Sequence, residues 1–155
     1  MAGLPYTRDG RLVYEPDGEV LEAAFWDRSK FSVIQGPVGS GTSSMGAHKI
    51  WSIANAQEAD NDGVRRTRWV VSRETYPLLK KTFLETWLQW FPEEKWGPII
   101  RSEPMMHTLE ADHADGKTRV HCEVIMLAIP TEEAAESLLA SFEITGFFQN
   151  EMQFT

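Results

Sequence analysis

Two rhythms of apolar residues run along this chain, one suited to buried strands and the other to amphipathic helices. Phe31 to Gln35 is a short apolar run that stops at a glycine-rich stretch, as a strand covered on both faces does. From Thr42 to about Ala59 the period changes. Ala47, Ile50, Trp51 and Ala54 share one face at helical spacing, and Asn61-Asp62-Gly63 closes the segment. Arg68 to Ser72 reads as a second buried strand. The next helix carries Pro77 in its first turn, where a missing N–H costs nothing. Its stripe is Leu79, Phe83, Leu84, Trp87, Leu88 and Phe91, and Pro92 helps to end it.

Beyond Pro92 the pattern changes again. Met106 to Ala111 and Thr118 to Ile129 flank Asp115-Gly116, a strong hairpin signal. The second arm alternates at Val120, Cys122 and Val124 and then stays apolar to Ile129, which predicts an exposed hairpin arm entering a buried sheet. Thr131 is placed as an N-cap, with Glu132 and Glu133 at the positive end of a short helix over Ala134 to Ala140. Phe142 to Phe148 is a last strand. Residues 1–30 are polar and turn-rich, with a short strand over Arg11 to Tyr14, and read as an arm or lid laid on the main body. The expected fold is therefore α/β: residues 31–155 form a largely parallel sheet flanked by helices, with an inserted β-hairpin.

Composition narrows this picture only slightly. The chain has 155 residues, 42% of them hydrophobic, which suits one globular core. One cysteine, Cys122, excludes an internal disulfide and suggests a reducing compartment. No stretch approaches the ~20 apolar residues of a membrane span, and the N-terminus lacks the pattern of a signal peptide. A net charge of −8 excludes broad electrostatic attraction for nucleic acid. The basic runs Arg65-Arg66-Thr67-Arg68 and Lys80-Lys81 read first as solvated faces, with local DNA contact as the lesser reading. His107, His113, His121 and Cys122 match no zinc-ligand spacing. Trp87, Trp90 and Trp96 fit packing better than base stacking, and Phe25 and Trp26 fit the core better than an adenine platform.

The chemistry concentrates between the first strand and the first helix, in Gly36-Pro37-Val38-Gly39-Ser40-Gly41-Thr42-Ser43. Glycines there allow backbone N–H groups to turn inward, and the following helix adds its positive end. The pattern is that of a phosphate-binding P-loop at every fixed position but one: Thr42 stands where the lysine belongs. Ser43 occupies the position whose hydroxyl holds Mg²⁺. Lys49 lies two turns too far along to replace the lysine. The plain alternative is a glycine-rich turn with no ligand. A second nucleotide element is expected where the last strand ends, with Asn150 ordering metal-bound water and Glu151 as the candidate catalytic base.

Together these pieces resemble the N-terminal ATPase domain of the large terminase subunit of tailed bacteriophages. The residues carrying the resemblance are Gly36 to Gly41, then Trp69 to Pro77 with Thr82 and the Trp87–Pro92 block, then Ser141 to Gly146 leading to Asn150-Glu151. The similarity spans roughly residues 25–155. It implies a motor that hydrolyses ATP with Mg²⁺ to drive double-stranded DNA into a procapsid. It also implies a portal and a small terminase subunit as partners, other copies in a ring, and work in the host cytoplasm without a membrane. Arg73 matches the family's candidate phosphate sensor. The nuclease domain and the strand coupling hydrolysis to movement would lie outside this chain. Thr42 departs from the family, so a non-catalytic nucleotide-binding or assembly domain is the alternative function. An open sheet edge would then favour self-association.

Overall fold

In a computed structural model of the chain, residues 14–16, 18–29, 41–140 and 143–149 are described. The expected strand over Phe31–Gln35, residues 36–40 of the glycine loop, most of the Arg11–Tyr14 strand, Asn150 and Glu151 lie outside them. Tyr14 itself is not in a strand.

The sheet is built around β1 (Val64–Arg73). β2 (Met105–Asp112) and β3 (Arg119–Ala128) form the expected hairpin, and β4 (Gly146–Gln149) is shorter than the apolar run foretold. Among the described residues the strand order is β2-β3-β1-β4. β1 pairs in parallel with β3 along its whole length, Val64 to Arg119 through Arg73 to Ala128, and with β4 from Trp69–Gly146 to Ser72–Gln149. Only β2–β3 is antiparallel. The hairpin is thus no excursion inserted beside the sheet. Its second arm is a central strand, and its first arm is an edge. The alternation at Val120, Cys122 and Val124 reflects one buried and one wet face at that end of a strand already in the sheet.

Helices α1 (Glu19–Trp26) and α2 (Thr42–Ala56) precede β1. α1 corrects the reading of residues 1–30 as polar turns: Leu21, Ala24 and Phe25 are buried with Met45, and Tyr14 packs beside them. Its eight residues are too few to declare a helical period. α2 stops three residues before the expected Ala59. After β1, α3 (Tyr76–Leu79) passes into a π-turn at Lys80–Leu84 and on into α4 (Glu85–Trp90) without leaving helical dihedrals. Thr75 caps it by accepting from the Leu78 N–H at 3.3 Å. The short α5 (Glu93–Trp96) follows, and α6 (Glu132–Leu139) is capped as expected, with the Ala134 N–H donating to the Thr131 hydroxyl at 3.1 Å.

Register assigns each side chain to a face. Trp69 and Val71 of β1, Cys122, Val124 and Met126 of β3, and Leu109 and Met105 of β2 meet the stripes of α2 and α4, including Ala47, Ile50, Phe83, Trp87 and Phe91. In its centre the Trp87 indole N–H donates to His107 Nδ1 at 2.8 Å. His107 Nε2 in turn donates to the Gly97 carbonyl at 2.9 Å. Val70, Ile125, Leu127 and Ile129 face the other way, against Ala134 and Ala135 of α6. Among the described residues no helix is long and apolar enough to cross a membrane.

Candidate functional site at the C-terminal edge of the parallel strands

The direction of α2 decides where its positive end lies. Its C-terminal turn meets the beginnings of the strands: His113 Nε2 donates to the Asn55 carbonyl at 2.9 Å, and Arg65 donates to the carbonyl of Gln57. Nearer the other end, Gly46 lies flat against β4, so close that a Cβ there would sit 2.5 Å from the Phe148 ring. α2 therefore runs antiparallel to β1, β3 and β4, and its N-terminus stands at their C-terminal edge. That edge is where ligands bind in open parallel sheets, because helix N-termini converge there.

The first turn of α2 begins at a glycine and carries hydroxyl side chains. Gly41 is its N-cap, in the left-handed region at φ 88°, and supplies no side-chain cap. A Cβ at Gly41 would also press to 3.2 Å from Leu21 Cδ1. No acidic residue lies in the first turn, which is Thr42, Ser43 and Ser44. α1, lying beside it, has Glu19 and Glu22 in its own first turn, exposed to solvent. Ser44 accepts from the Trp90 indole at 3.0 Å, which pins the turn to α4.

Lys49 does not approach this turn. Its ammonium donates to the Ala24 carbonyl at 2.8 Å, and Arg28 donates to the Phe25 carbonyl at 2.5 Å, so both cations cap the C-terminus of α1. Burial lowers the Lys49 pKa. Leu21 beside Gly41, Lys49 on Ala24, and Arg28 on Ser52 at 3.3 Å show that α1 runs parallel to α2.

Arg73 ends β1 and brings a charged side chain to this edge. It is only 6% exposed. Its guanidinium donates to the Thr82 hydroxyl at 3.0 Å, and that hydroxyl donates to the Leu78 carbonyl at 2.7 Å. Its side chain shares the face of Trp69 and Val71, the face that α2 covers. Two strand residues beyond the Val71–Phe148 row is an advance of about 6.6 Å, equivalent to roughly four helical residues back from Gly46. This sets Arg73 at the level of Thr42.

The opposite edge holds the basic run, and its charges are spent on one another. Arg66 meets Asp60 at 2.8 Å, Arg68 meets Glu123 at 2.7 Å, Arg65 meets Asp115 at 3.3 Å and Arg119 meets Asp112 at 2.5 Å. His121 lies 2.7 Å from Glu110. The exposed Lys80 and Lys81 sit apart from this group, on the π-turn. His107 and Cys122 are buried on the α2 face, His121 is on the other, and His113 is in the turn. Among the described residues no group of three His, Cys, Asp or Glu is placed to hold a metal.

Thr42 and Ser43 are thus brought to one edge with Arg73 and the end of β4. The sequence gives no role to Leu21 or Ser44, and it marks Thr82 and Trp90 only through the resemblance and through packing. Arg73 and Thr82 meet across the π-turn that holds Thr82, and no periodic pattern announces that contact. Comparisons with protein-family models, with curated proteins and with solved structures find no match.

Proposed function

We propose that this chain binds the phosphates of Mg²⁺-bound ATP at the start of α2, as the ATPase module of a viral DNA-packaging motor of the terminase type. The observation that carries the binding half of this reading is the placement of α2. Among the described residues, a helix whose N-cap is a left-handed glycine and whose first turn holds no acidic residue starts at the C-terminal edge of parallel strands. The residues present suit a phosphate in every respect but the missing lysine. The backbone of Gly36 to Thr42 would cradle it, the Ser43 hydroxyl would reach Mg²⁺ directly, and Asn150 would hold a metal-bound water. Glu151 would orient the attacking water, and Arg73 would sense the terminal phosphate. Bound nucleotide would supply a phosphoanhydride bond whose cleavage drives movement.

The motor half rests on the resemblance of the motifs. Its double-stranded DNA would be gripped through the full-length protein in a ring, with portal and small terminase subunit. The ion-paired arginines of the N-terminal edge support this division, since they leave little basic surface for DNA here. A non-catalytic nucleotide-binding module is the second reading, favoured by Thr42. Calorimetric titration with ATP and Mg²⁺, on the chain and on Thr42→Lys, tests both. Binding by both supports the cradle; in a parallel hydrolysis assay, turnover raised by Thr42→Lys favours the ATPase reading, and no gain favours the second. Binding by neither would sink the proposal.

A further inference from the structure

We propose that the outer edge of β2 is an interaction surface that takes up one antiparallel strand of a partner, in which basic and apolar residues alternate. This surface does not depend on the phosphate site proposed above.

The hydrogen bonds of β2 fix which of its backbone groups face outward. Met106 exchanges both its bonds with Ile100: its N–H donates at 3.0 Å and its carbonyl accepts at 2.8 Å. His113, just past the end of the strand, donates inward to the Thr118 carbonyl. Backbone groups alternate sides along an antiparallel strand, so Thr108, Glu110 and Asp112 point away from β3 as Met106 does. β2 stands last in the strand order, and among the described residues no strand pairs with these three on their outer side. Ile100 shows that the edge accepts an antiparallel neighbour. In that register Pro98 would come opposite Thr108, and it has no N–H to give, so the chain's own pairing stops there.

The rows of the sheet select the partner. Arg66, His121 and Glu110 form one row, and Val64, Arg119 and Asp112 the next. The cations lie inside and the carboxylates outermost. The Glu110 side chain is 55% exposed beside an imidazole that is charged only when protonated, and that of Asp112 is 81% exposed beside Arg119. A strand added outside β2 would meet these two carboxylates directly, and opposite charges across a strand pair attract. Leu109 and Ala111 turn to the other face, buried and half-buried, so the positions between the cations would be apolar. Main-chain bonds supply the affinity in such an addition and the side chains the choice. A second copy of this chain fits poorly. Two-fold pairing centred on Glu110 or Ala111 sets carboxylate against carboxylate, and pairing centred on Leu109 runs Asp112 into Met106, whose bonds Ile100 already holds. Edge carboxylates blunt pairing between copies, and a basic strand turns them to attraction.

The probe is a blocked peptide of alternating lysine and valine, with lysine at both ends, titrated into the whole chain while backbone amide resonances are recorded. Shifts and slowed hydrogen exchange are expected at Thr108, Glu110 and Asp112, with affinity about tenfold above that for the same peptide with glutamate in place of lysine. In antiparallel pairing the lysine amides would face β2 and the valine amides would face away. N-methylation of the lysine amides should therefore abolish binding, and N-methylation of the valine amides should leave it intact. Glu110→Lys combined with Asp112→Lys should reverse the preference toward the glutamate peptide. If that variant fails to fold, the two methylated peptides decide on the natural chain. Equal affinity for both methylated peptides would mean diffuse attraction to an acidic protein and would overturn the proposal. So would shifts gathered away from β2, or none at saturating peptide, which would leave the carboxylates as edge protection alone. A natural chain that sediments as a dimer with the Thr108, Glu110 and Asp112 amides already protected would overturn it in favour of a second copy.

Discussion

The two ends of the parallel strands use charge in opposite ways. At the N-terminal edge, Arg65, Arg66, Arg68 and Arg119 each meet a carboxylate, most of them at the wet surface. At the C-terminal edge Arg73 is buried and donates to the Thr82 hydroxyl, and the first turn of α2 holds no acidic residue. The first arrangement is self-sufficient, since mutual neutralisation leaves little field for a ligand. The second combines close apolar contact with a helix start whose first turn holds no carboxylate, and it is the edge where we propose that an anion binds. The ion pairs of the basic run fit its first reading as a solvated face.

If the C-terminal half is held by burial and the N-terminal edge by exposed ion pairs, perturbing them should give very different effects. The largest should come from acid. His48 is buried on α2, stacked on Tyr14 at 4.2 Å and against the edge of Trp90 at 4.2 Å, and burial pushes its pKa down to about 3. The folded chain holds it neutral, whereas the unfolded chain takes up a proton below its ordinary value of 6.5. Its contribution is complete above that value and falls as pH drops toward about 3, by about 1.4 kcal/mol per pH unit in between. Burial lowers the His107 pKa too, adding in the same direction. Urea midpoints at pH 7 and pH 4.5 should differ strongly for the natural chain and clearly less for His48→Phe.

A smaller loss should follow Gly46→Val, whose Cβ meets the Phe148 ring that holds β4 to α2. Overpacking of this kind costs about 1–3 kcal/mol, read as a lower midpoint in denaturant. Smallest of all, Arg66→Ala and Arg119→Ala should each change stability by less than about 0.5 kcal/mol, since both side chains are 56% exposed in their pairs. Equal losses at the two ends, measured in the same denaturant series, would erase the contrast.

Much of this architecture was legible beforehand, for identifiable reasons. α2, the hairpin and the helix after Thr131 announce themselves through long periodic stripes, Asp115-Gly116 and a capping threonine. α1 was hidden because eight residues show too little period and its burial depends on α2. The integration of β3 into the sheet was hidden because parallel pairing is a long-range choice that local alternation does not encode. At the site, the loop pattern placed Gly41, Thr42 and Ser43 correctly at a helix start. The burial of Arg73 and its link to Thr82, which lies in a π-turn, are long-range contacts that leave no sequence signature.

The most direct test is to record backbone amide and arginine side-chain resonances while adding Mg²⁺ and ATP. The account predicts shifts concentrated at Gly41, Thr42, Ser43 and Ser44 and at the Arg73 guanidinium, with the paired arginines of the opposite edge unmoved. Shifts gathered instead at Arg66, Arg68 and Arg119, or none anywhere at saturating nucleotide, would contradict it.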